Sequence, residues 1–518
     1  MVSAIKNILR TLRGAVLWSI YTMRMDKFIN ATVTSTLYKE NGRLAIVVQP
    51  LYIISWPFFM IALGLLLQKK GKAVIYIVDN SNFEKNIFIY KIKMSAIKHC
   101  MQKLSIKGFQ VAWLSDALVS GNHECISSDK LMALANLQAI WLTRGEMAKI
   151  DREREYMRYL QQLVHASSRI QSILESLNLE HIIVACGIVG TSGIYLNCGK
   201  YLNIPVSTID GDEGANLMSN SGPAAQLTDI PLAFKSFPDD EKAFAYDKAY
   251  ILMGKRMEGN DPFSYQIKKV SDENHESGSI LLLLNSVWDQ AALGLHTLYP
   301  GMNEWIFQSV KWVLENTEET IIIRQHPAER KKIASTSDDY KKLLKPFLQH
   351  ERVHFVSANA DINTYGLIQK CKVVIAYSTT TALESTMLGK PVITVSNCYY
   401  SDLGFVYKPK QLEEYYHYIM RGISGQLLLS ESQKNDAALC FYLSQGCNWV
   451  FTDFAATVKD FKKWVAMDSD SIFELPEIQD MLDSFISGYP IALIRHKRMF
   501  NQNKEAQYTA NKEKIALS

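Results

Sequence analysis

Several features are missing from these 518 residues, and each absence closes off a class of function. No two of the eight cysteines stand in a C-x-x-C pair, so their spacing offers no zinc site. They are scattered (Cys100, Cys125, Cys186, Cys198, Cys371, Cys398, Cys440, Cys447), and several fall inside apolar runs, the pattern of buried thiols in a reducing cytosol. The net charge is only +4, and the basic residues form no stripe interleaved with aromatics. That excludes the usual nucleic-acid binder. The N-terminus lacks the continuous apolar core and small-residue cleavage site of a signal peptide. The apolar run 51–67 is about seventeen residues long, short of the roughly twenty that a membrane span needs.

What is present is ordinary for a globular chain: 48% apolar and 21% charged residues, on a length that suits two domains or more. Context decides the run 51–67. LAIVVQP (44–50) precedes it, and Lys69-Lys70-Gly71 and AVIYIVD (73–79) follow. Strand, apolar helix, turn and strand make a βαβ unit, so the helix is apolar because it packs on a sheet. Residues 3–25 place Ile5, Ile8, Leu9, Leu12, Val16 and Ile20 at helical spacing among Lys6, Arg10, Arg13 and Arg24. Such a basic amphipathic helix, with Trp18 and Tyr21, suits either a membrane surface or its own domain.

Further along, FQVAWL (109–114), HIIVAC (181–186) and IPVSTI (204–209) read as strands, with residues 129–178 mostly helical. After a polar stretch ending in SDENHESG, a second series begins. Its strands are SILLLLN (279–285), the run 320–324, VHFV (353–356), KVVIAY (372–377) and VITV (392–395). Residues 409–465 read as helical, and the tail beyond Met499 is polar enough to be disordered. Two α/β series joined by a linker predict two Rossmann-like domains facing a central cleft.

The candidate chemistry sits at strand ends. Ile321–Ile323 ends in Arg324, Gln325, His326 and Pro327. Ligands of open α/β sheets bind beyond the carboxyl ends of strands, where Arg324 and His326 would meet a phosphate. Ser378-Thr379-Thr380-Thr381 opens a helix after another strand, with Glu384 in its first turns. Hydroxyls and N–H groups there suit an anion, and the carboxylate suits ribose hydroxyls. A plain N-cap with a capping-box glutamate would look the same. In the first series, Gly190 and Thr191 follow HIIVAC, where small residues allow close approach of a ligand or simple tight packing. IPVSTI ends in Asp210, Gly211, Asp212, Glu213 and Gly214. Carboxylates this close raise one another's pKa, which suits a base, although Asp and Gly also favour plain turns.

These residues carry a resemblance. Gln325-His326-Pro327 behind Arg324 resembles the His-Pro motif of bacterial sialyltransferases and Kdo transferases. AYSTTTALESTMLGKPVI (376–393) is similar to the Ser/Thr-rich motif of capsule and surface-polysaccharide biosynthesis proteins. LLLLNSVWD (281–289), with Asn285 and Ser286, resembles the start of their donor domain, and Asp212-Glu213-Gly214 resembles the sialyltransferases' acidic motif. The resemblance is strongest over about 279–405. It implies an α/β fold of GT-B type and a glycosyltransferase that builds a capsule or lipopolysaccharide glycan. The donor would be a nucleotide-sugar, CMP-activated among the candidates; the acceptor would be an oligosaccharide or lipid-linked glycan. It further implies no metal; no cofactor is expected, and direct displacement assisted by one base predicts inversion at the anomeric carbon. Asn285, Ser286, Arg324, His326, Pro327, Ser378, Thr379, Thr380 and Glu384 would hold the nucleotide, with His326 also catalytic. One of Asp210, Asp212 and Glu213 would be the base, and Gly190, Thr191 and Gly214 would line the acceptor side.

The expected division is a helical extension over 1–40, an acceptor-side domain over 41–250 and a linker over 251–278. A donor domain over 279–465 and a C-terminal helical segment with a disordered tail over 466–518 complete it. The expected location is the cytoplasm, with peripheral contact to the membrane's inner face through residues 3–25. A CDP-glycerol glycerophosphotransferase, a non-catalytic subunit of the polysaccharide assembly machinery and a nucleotide-sugar epimerase remain open.

Overall fold

The structure, a computed structural model, describes residues 2–33, 43–50, 55–84, 86–119, 125–261 and 280–517, with side chains between 14 and 506. Most of the expected linker lies outside these residues. The chain forms two compact units. One comprises Met1–Gln138, Tyr156–Thr228 and Asn448–Arg495; the other comprises Ala139–Glu155, Asp229–Cys447 and His496–Ser518. The division therefore differs from the expected blocks. The main part of the second unit starts at Asp229, and the segment 139–155 and the final helix from His496 onward belong to it. Packing sets these boundaries, and a linear reading of composition cannot register a chain that crosses between units.

The first unit begins with β1 (Arg43–Val48), β2 (Ala73–Val78), β3 (Gln110–Trp113), β4 (His181–Ala185), β5 (Val206–Asp212) and β6 (Ala215–Ser219). The second holds β7 (Ile280–Leu283), β8 (Ile321–Arg324), β9 (Val353–Val356), β10 (Val373–Ala376) and β11 (Val392–Thr394). The chain then returns to the first unit through β12 (Val450–Phe451). The sheet orders are β12-β6-β5-β4-β1-β2-β3 and β11-β10-β7-β8-β9. The second sheet is wholly parallel; in the first, only β6 is reversed, antiparallel to its neighbours β5 and β12. In both, the first three strands step one way and the next two step the other, the doubly wound order of Rossmann folds. Strands such as AIVV and IIIR are near-continuously apolar because helices cover both faces.

The run 51–67 is a sheet-packed helix over its described part. Trp56–Lys69 is helical, with every residue from Trp56 to Leu67 buried. A helix apolar all round is a buried helix. Gly64 lets it meet β2: a Cβ there would lie 2.5 Å from the Tyr76 hydroxyl. That hydroxyl in turn donates to the Ile61 carbonyl at 2.8 Å.

Three expectations change. Helix Val2–Thr32 turns its aromatics inward, with Trp18 at 3% and Tyr21 at 2% exposure. Trp18 packs on Phe58 with ring centroids 5.3 Å apart, so the aromatics that would anchor a membrane helix are part of the first unit's core. Among the described residues, no helix is long and apolar enough to cross a membrane. The tail beyond Met499 continues helix Ile491–Leu517 rather than being irregular. Finally, Cys125 and Cys198 form a disulfide, while the six other cysteines are buried thiols. The pair is 73 residues apart, a separation that carries no spacing signal.

Candidate functional site

In the second unit the strand order reverses between β7 and β10, and there the chain leaves both strands as polar residues. The Ser378 amide donates to Asn285 Oδ1 at 3.1 Å, which ties the two strand ends together. Beside this junction is a pocket of about 500 Å³ at the carboxyl ends of β7, β8 and β10. It is lined by Leu283, Leu284, Arg324, His326, Pro327, Thr364, Tyr365, Thr379, Thr381, Glu384 and Arg256.

Pro327 ends β8 and begins a 3-10 turn, Pro327–Arg330, capped by His326. His326 Nδ1 accepts the Ala328 amide at 3.3 Å. An acceptor Nδ1 places the ring proton on Nε2. Burial, with the Arg324 charge adding to it, pulls the His326 pKa down to about 4. His326 is thus a neutral ring with a single N–H to offer. Arg324 is committed elsewhere: its guanidinium donates to Thr364 Oγ1 at 3.2 Å, Ser357 O at 2.7 Å and Ile362 O at 3.3 Å. It holds the loop after β9 in place, and its charge reaches the pocket without a spent hydrogen bond. Burial lowers its pKa to about 10, with Arg330 contributing, so it remains protonated.

Glu384 is 3% exposed and doubly held. Arg256 Nη1 donates to Oε1 at 2.7 Å and the Tyr365 hydroxyl donates to Oε2 at 3.0 Å. Arg256 Nη2 also reaches Asp261 Oδ2 at 3.3 Å and Gln445 Oε1 at 3.2 Å. Burial works against the Arg256 charge, but the Glu384 and Asp261 carboxylates outweigh it and raise its pKa above the ordinary value.

Of the expected donor-side residues, the pocket brings together Arg324, His326, Pro327, Thr379 and Glu384. Asn285, Ser286, Ser378 and Thr380 do not line it. Asn285 carries the Ser378 amide, Ser286 hydrogen-bonds Glu329, and the Ser378 hydroxyl donates to the Ala291 carbonyl at 3.3 Å. Thr380 is the N-cap residue of helix Thr381–Met387 and makes no side-chain cap bond there. The serine and threonine run therefore builds the strand-to-helix turn, and two of its hydroxyl residues, Thr379 and Thr381, face the pocket.

In the first unit, Asp210 and Asp212 belong to β5 itself, paired across a hairpin with Leu217 and Ala215. The connection is only Glu213 and Gly214, and Gly214 takes a φ of 71° that favours glycine at such a turn. Glu213 forms an ion pair with Lys459, which holds its carboxyl below the usual range. The expected mutual rise in pKa fails for Glu213, because a lysine faces it in the fold. Gly190 and Thr191 do meet other polar groups. The Gly190 amide donates to Gln138 Oε1 at 2.5 Å, Gln49 Nε2 donates to Thr191 Oγ1 at 2.6 Å, and Thr191 donates to Asp79. A pocket of about 320 Å³ beside them is also lined by Ser81, Phe83 and Glu84.

Sequence reasoning missed Arg256, Tyr365, Gln49 and Asp79. Gln49 and Asp79 had a usable signal, since each is the first polar residue after a buried strand. Arg256 had none, lying near the end of a long mixed helix, Lys242–Met257. Among the described residues, no group of three or more His, Cys, Asp or Glu side chains is placed to hold a metal ion.

No curated protein matches this chain. Solved structures similar to it include two Thermosulfurimonas dismutans KpsC domains. The beta Kdo 2,4 transferase is 15% identical, over 50% of this chain and 79% of that one, with a TM-score of 0.34. The beta Kdo 2,7 transferase is 12% identical, over 52% and 79%, with a TM-score of 0.30. MurG of Acinetobacter baumannii is 10% identical, over 83% and 99%, with a TM-score of 0.25. Likeness at this level establishes neither fold nor function. The family model described as capsule polysaccharide biosynthesis protein matches residues 233–418. That stretch holds every residue lining the pocket at the ends of β7, β8 and β10.

Proposed function

We propose that the protein is a glycosyltransferase of surface-polysaccharide synthesis, and that the pocket at the ends of β7, β8 and β10 binds its nucleotide-sugar donor. The observation that carries this reading is the convergence of Arg256, Arg324, His326, Thr379 and Glu384 on one pocket inside the matched stretch. Two guanidinium groups and a neutral N–H donor favour a phosphate, and an oriented carboxylate suits ribose hydroxyls.

In the reaction we propose, the His326 Nε2–H donates to the phosphate oxygen that leaves the anomeric carbon and stabilises its growing charge. The acceptor hydroxyl oxygen forms the new bond to that carbon from the opposite face, with inversion. Its proton passes to a carboxylate of the β5–β6 hairpin. Glu213 is tied to Lys459, which leaves Asp210 and Asp212 for that role. A CMP-activated sugar is the donor we favour, acting without a metal or further cofactor.

The test is thermal shift against CMP, UDP, GDP and CDP, in the wild type and in His326→Ala. A bound nucleotide at about 100 times its Kd stabilises by roughly 2.7 kcal/mol. One nucleotide should give such a shift, and the variant should lose it. No shift with any of the four sinks the donor-site reading, and turnover of CDP-glycerol would redirect it to a glycerophosphotransferase.

A further inference from the structure

Directly behind His326 lies an acid that the proposed reaction does not use. Glu329 belongs to the 3-10 turn Pro327–Arg330 and is only 6% exposed. Gln325 Nε2 donates to its Oε2 at 2.6 Å, and Ser286 hydrogen-bonds the same carboxyl group. Gln325 follows β8 and Ser286 follows β7, so one carboxyl group links two neighbouring strand ends at the base of the site. Gln325 is fixed from its other side too, its Oε1 accepting the Ala358 amide at 3.0 Å. Glu329 Oε1 is buried and has no hydrogen-bond partner among the described residues.

The surroundings are wrong for a carboxylate anion. From the neighbouring segment Asp338 and Tyr340 face Glu329. Asp338 is itself held as an acceptor by the Glu146 and Met147 amides at 2.9 and 2.8 Å and by Asn303 Nδ2 at 2.8 Å. Tyr340 is 2% exposed. Ser286 and Gln325 are uncharged, and within its own turn His326 is neutral and Arg330 is the next residue. Among the described residues no cation pairs with Glu329. An unpaired buried carboxylate is costly, and protonation is the usual escape.

We infer that Glu329 is a positioning residue that works as a neutral carboxylic acid, bridging Ser286 and Gln325 so that the adjoining His326 presents its N–H to the donor. Ionisation would put a second negative charge beside Asp338 and loosen the bridge. Binding would then weaken in alkali. The physical cause is plain: burial, with the Asp338 charge adding to it, outweighs the Gln325 and Ser286 hydrogen bonds and lifts the Glu329 pKa to about 7.

The inference rests on the donor-site reading for its binding arm only. The test compares the full-length wild type with Glu329→Gln, an isosteric neutral side chain, from pH 5.5 to 8.5. In the first arm, no ligand is present. The wild type should lose melting temperature relative to Glu329→Gln as pH rises through 7, and a pH-independent difference would overturn the neutral-acid assignment. In the second arm, the nucleotide that shifts the wild type is titrated. With the competent form near one tenth at pH 8, wild-type affinity should fall about tenfold from pH 6 to pH 8, while Glu329→Gln stays flat. Equal pH dependence in both proteins overturns the positioning role. Ser286→Ala should lower affinity in the same pH-dependent way, which keeps the second arm readable if Glu329→Gln folds poorly. Failure of every nucleotide to bind either protein would count against the donor site and the positioning role alike, while the ligand-independent arm still reads the acid.

Discussion

Arg256 Nη1 and Glu384 Oε1 lie 2.7 Å apart at the edge of the pocket beyond β7, β8 and β10, both nearly excluded from water. Helix Lys242–Met257 supplies the arginine, and helix Thr381–Met387 supplies the carboxylate. The pair closes one wall of the site and fixes the direction of the carboxylate that would meet a ribose. Removing one partner of a buried pair leaves a bare charge, which costs about 3–5 kcal/mol. Arg256→Met should therefore lower the unfolding free energy by an amount of that order, read by chemical denaturation. The double change Arg256→Met with Glu384→Met should recover part of this loss, since an apolar pair can replace the ion pair without cost while Asp261 still loses its arginine. Nucleotide binding should stay absent in the double variant. Recovery of binding along with stability would mean that the pair only supports the fold.

His326 separates two jobs between its two nitrogens, and substitution can separate them as well. Nδ1 accepts the Ala328 amide, while Nε2 carries the proton that the proposed reaction uses. In His326→Asn the side-chain oxygen can keep the cap but cannot reach the ligand. A hydrogen bond to a charged group contributes about 1.5–3 kcal/mol. Melting temperature should hardly move, and nucleotide affinity should fall by about one to two orders of magnitude, measured by titration calorimetry. With its pKa near 4, His326 should also leave wild-type affinity level between pH 5.5 and 6.5. A loss of affinity across that window that disappears in His326→Asn would show an imidazolium instead.

How much of this was legible beforehand depends on the range of each interaction. Alternating apolar runs and polar breaks are local, so the two α/β series and the strand ends at Arg324–His326 and Ser378–Thr381 could be read from residue order. The pairing of Arg256 with Glu384 joins positions 128 residues apart, and no local pattern encodes it. Arg324 illustrates a different limit: residue type and place suggested a phosphate contact, but its three nitrogens had partners 33 to 40 residues on. The same holds for Glu213, whose partner Lys459 arrives only when the chain returns to the first unit through β12. Trp18 and Tyr21 suited a membrane or a core, and only their packing partners, Phe58 and Phe461, distinguish these.

Gly211 separates the two candidate base residues in β5, and its place in the hairpin can be tested directly. A Cβ on Gly211 would lie 2.5 Å from the Ala215 carbonyl oxygen and 3.3 Å from the Asn216 Cα. Both obstacles include backbone atoms, so the hairpin would have to splay. Overpacking of this kind costs about 1–3 kcal/mol. Gly211→Ala should lower the melting temperature and reduce transfer while nucleotide binding by the second unit stays at the wild-type level. A Gly211→Ala protein with full transfer activity would show that the position of Asp210 and Asp212 does not matter to the reaction.

Three histidines make the fold acid-sensitive in a defined window. Burial lowers His181, His296 and His326 to about 4 each, against 6.5 in the unfolded chain. At His181 a hydrogen bond with the Phe485 backbone opposes the shift in part, and at His326 the Arg324 charge adds to it. Between pH 6.5 and 4 the unfolded chain holds protons on these rings that the native protein does not. Stability is therefore complete above pH 6.5 and falls as pH drops toward 4. Glu329 runs the other way, because its native carboxyl keeps a proton up to about pH 7 that the unfolded chain releases near 4.5. It offsets roughly one histidine, so these four groups together contribute a slope of about two protons, or about 2.7 kcal/mol per pH unit near pH 5.5. Denaturation at pH 7, 6 and 5 should show the decline. His181→Gln, which cannot titrate, should remove about one proton of the slope, and an unchanged slope in that variant would place a charged imidazole at His181 in the native fold.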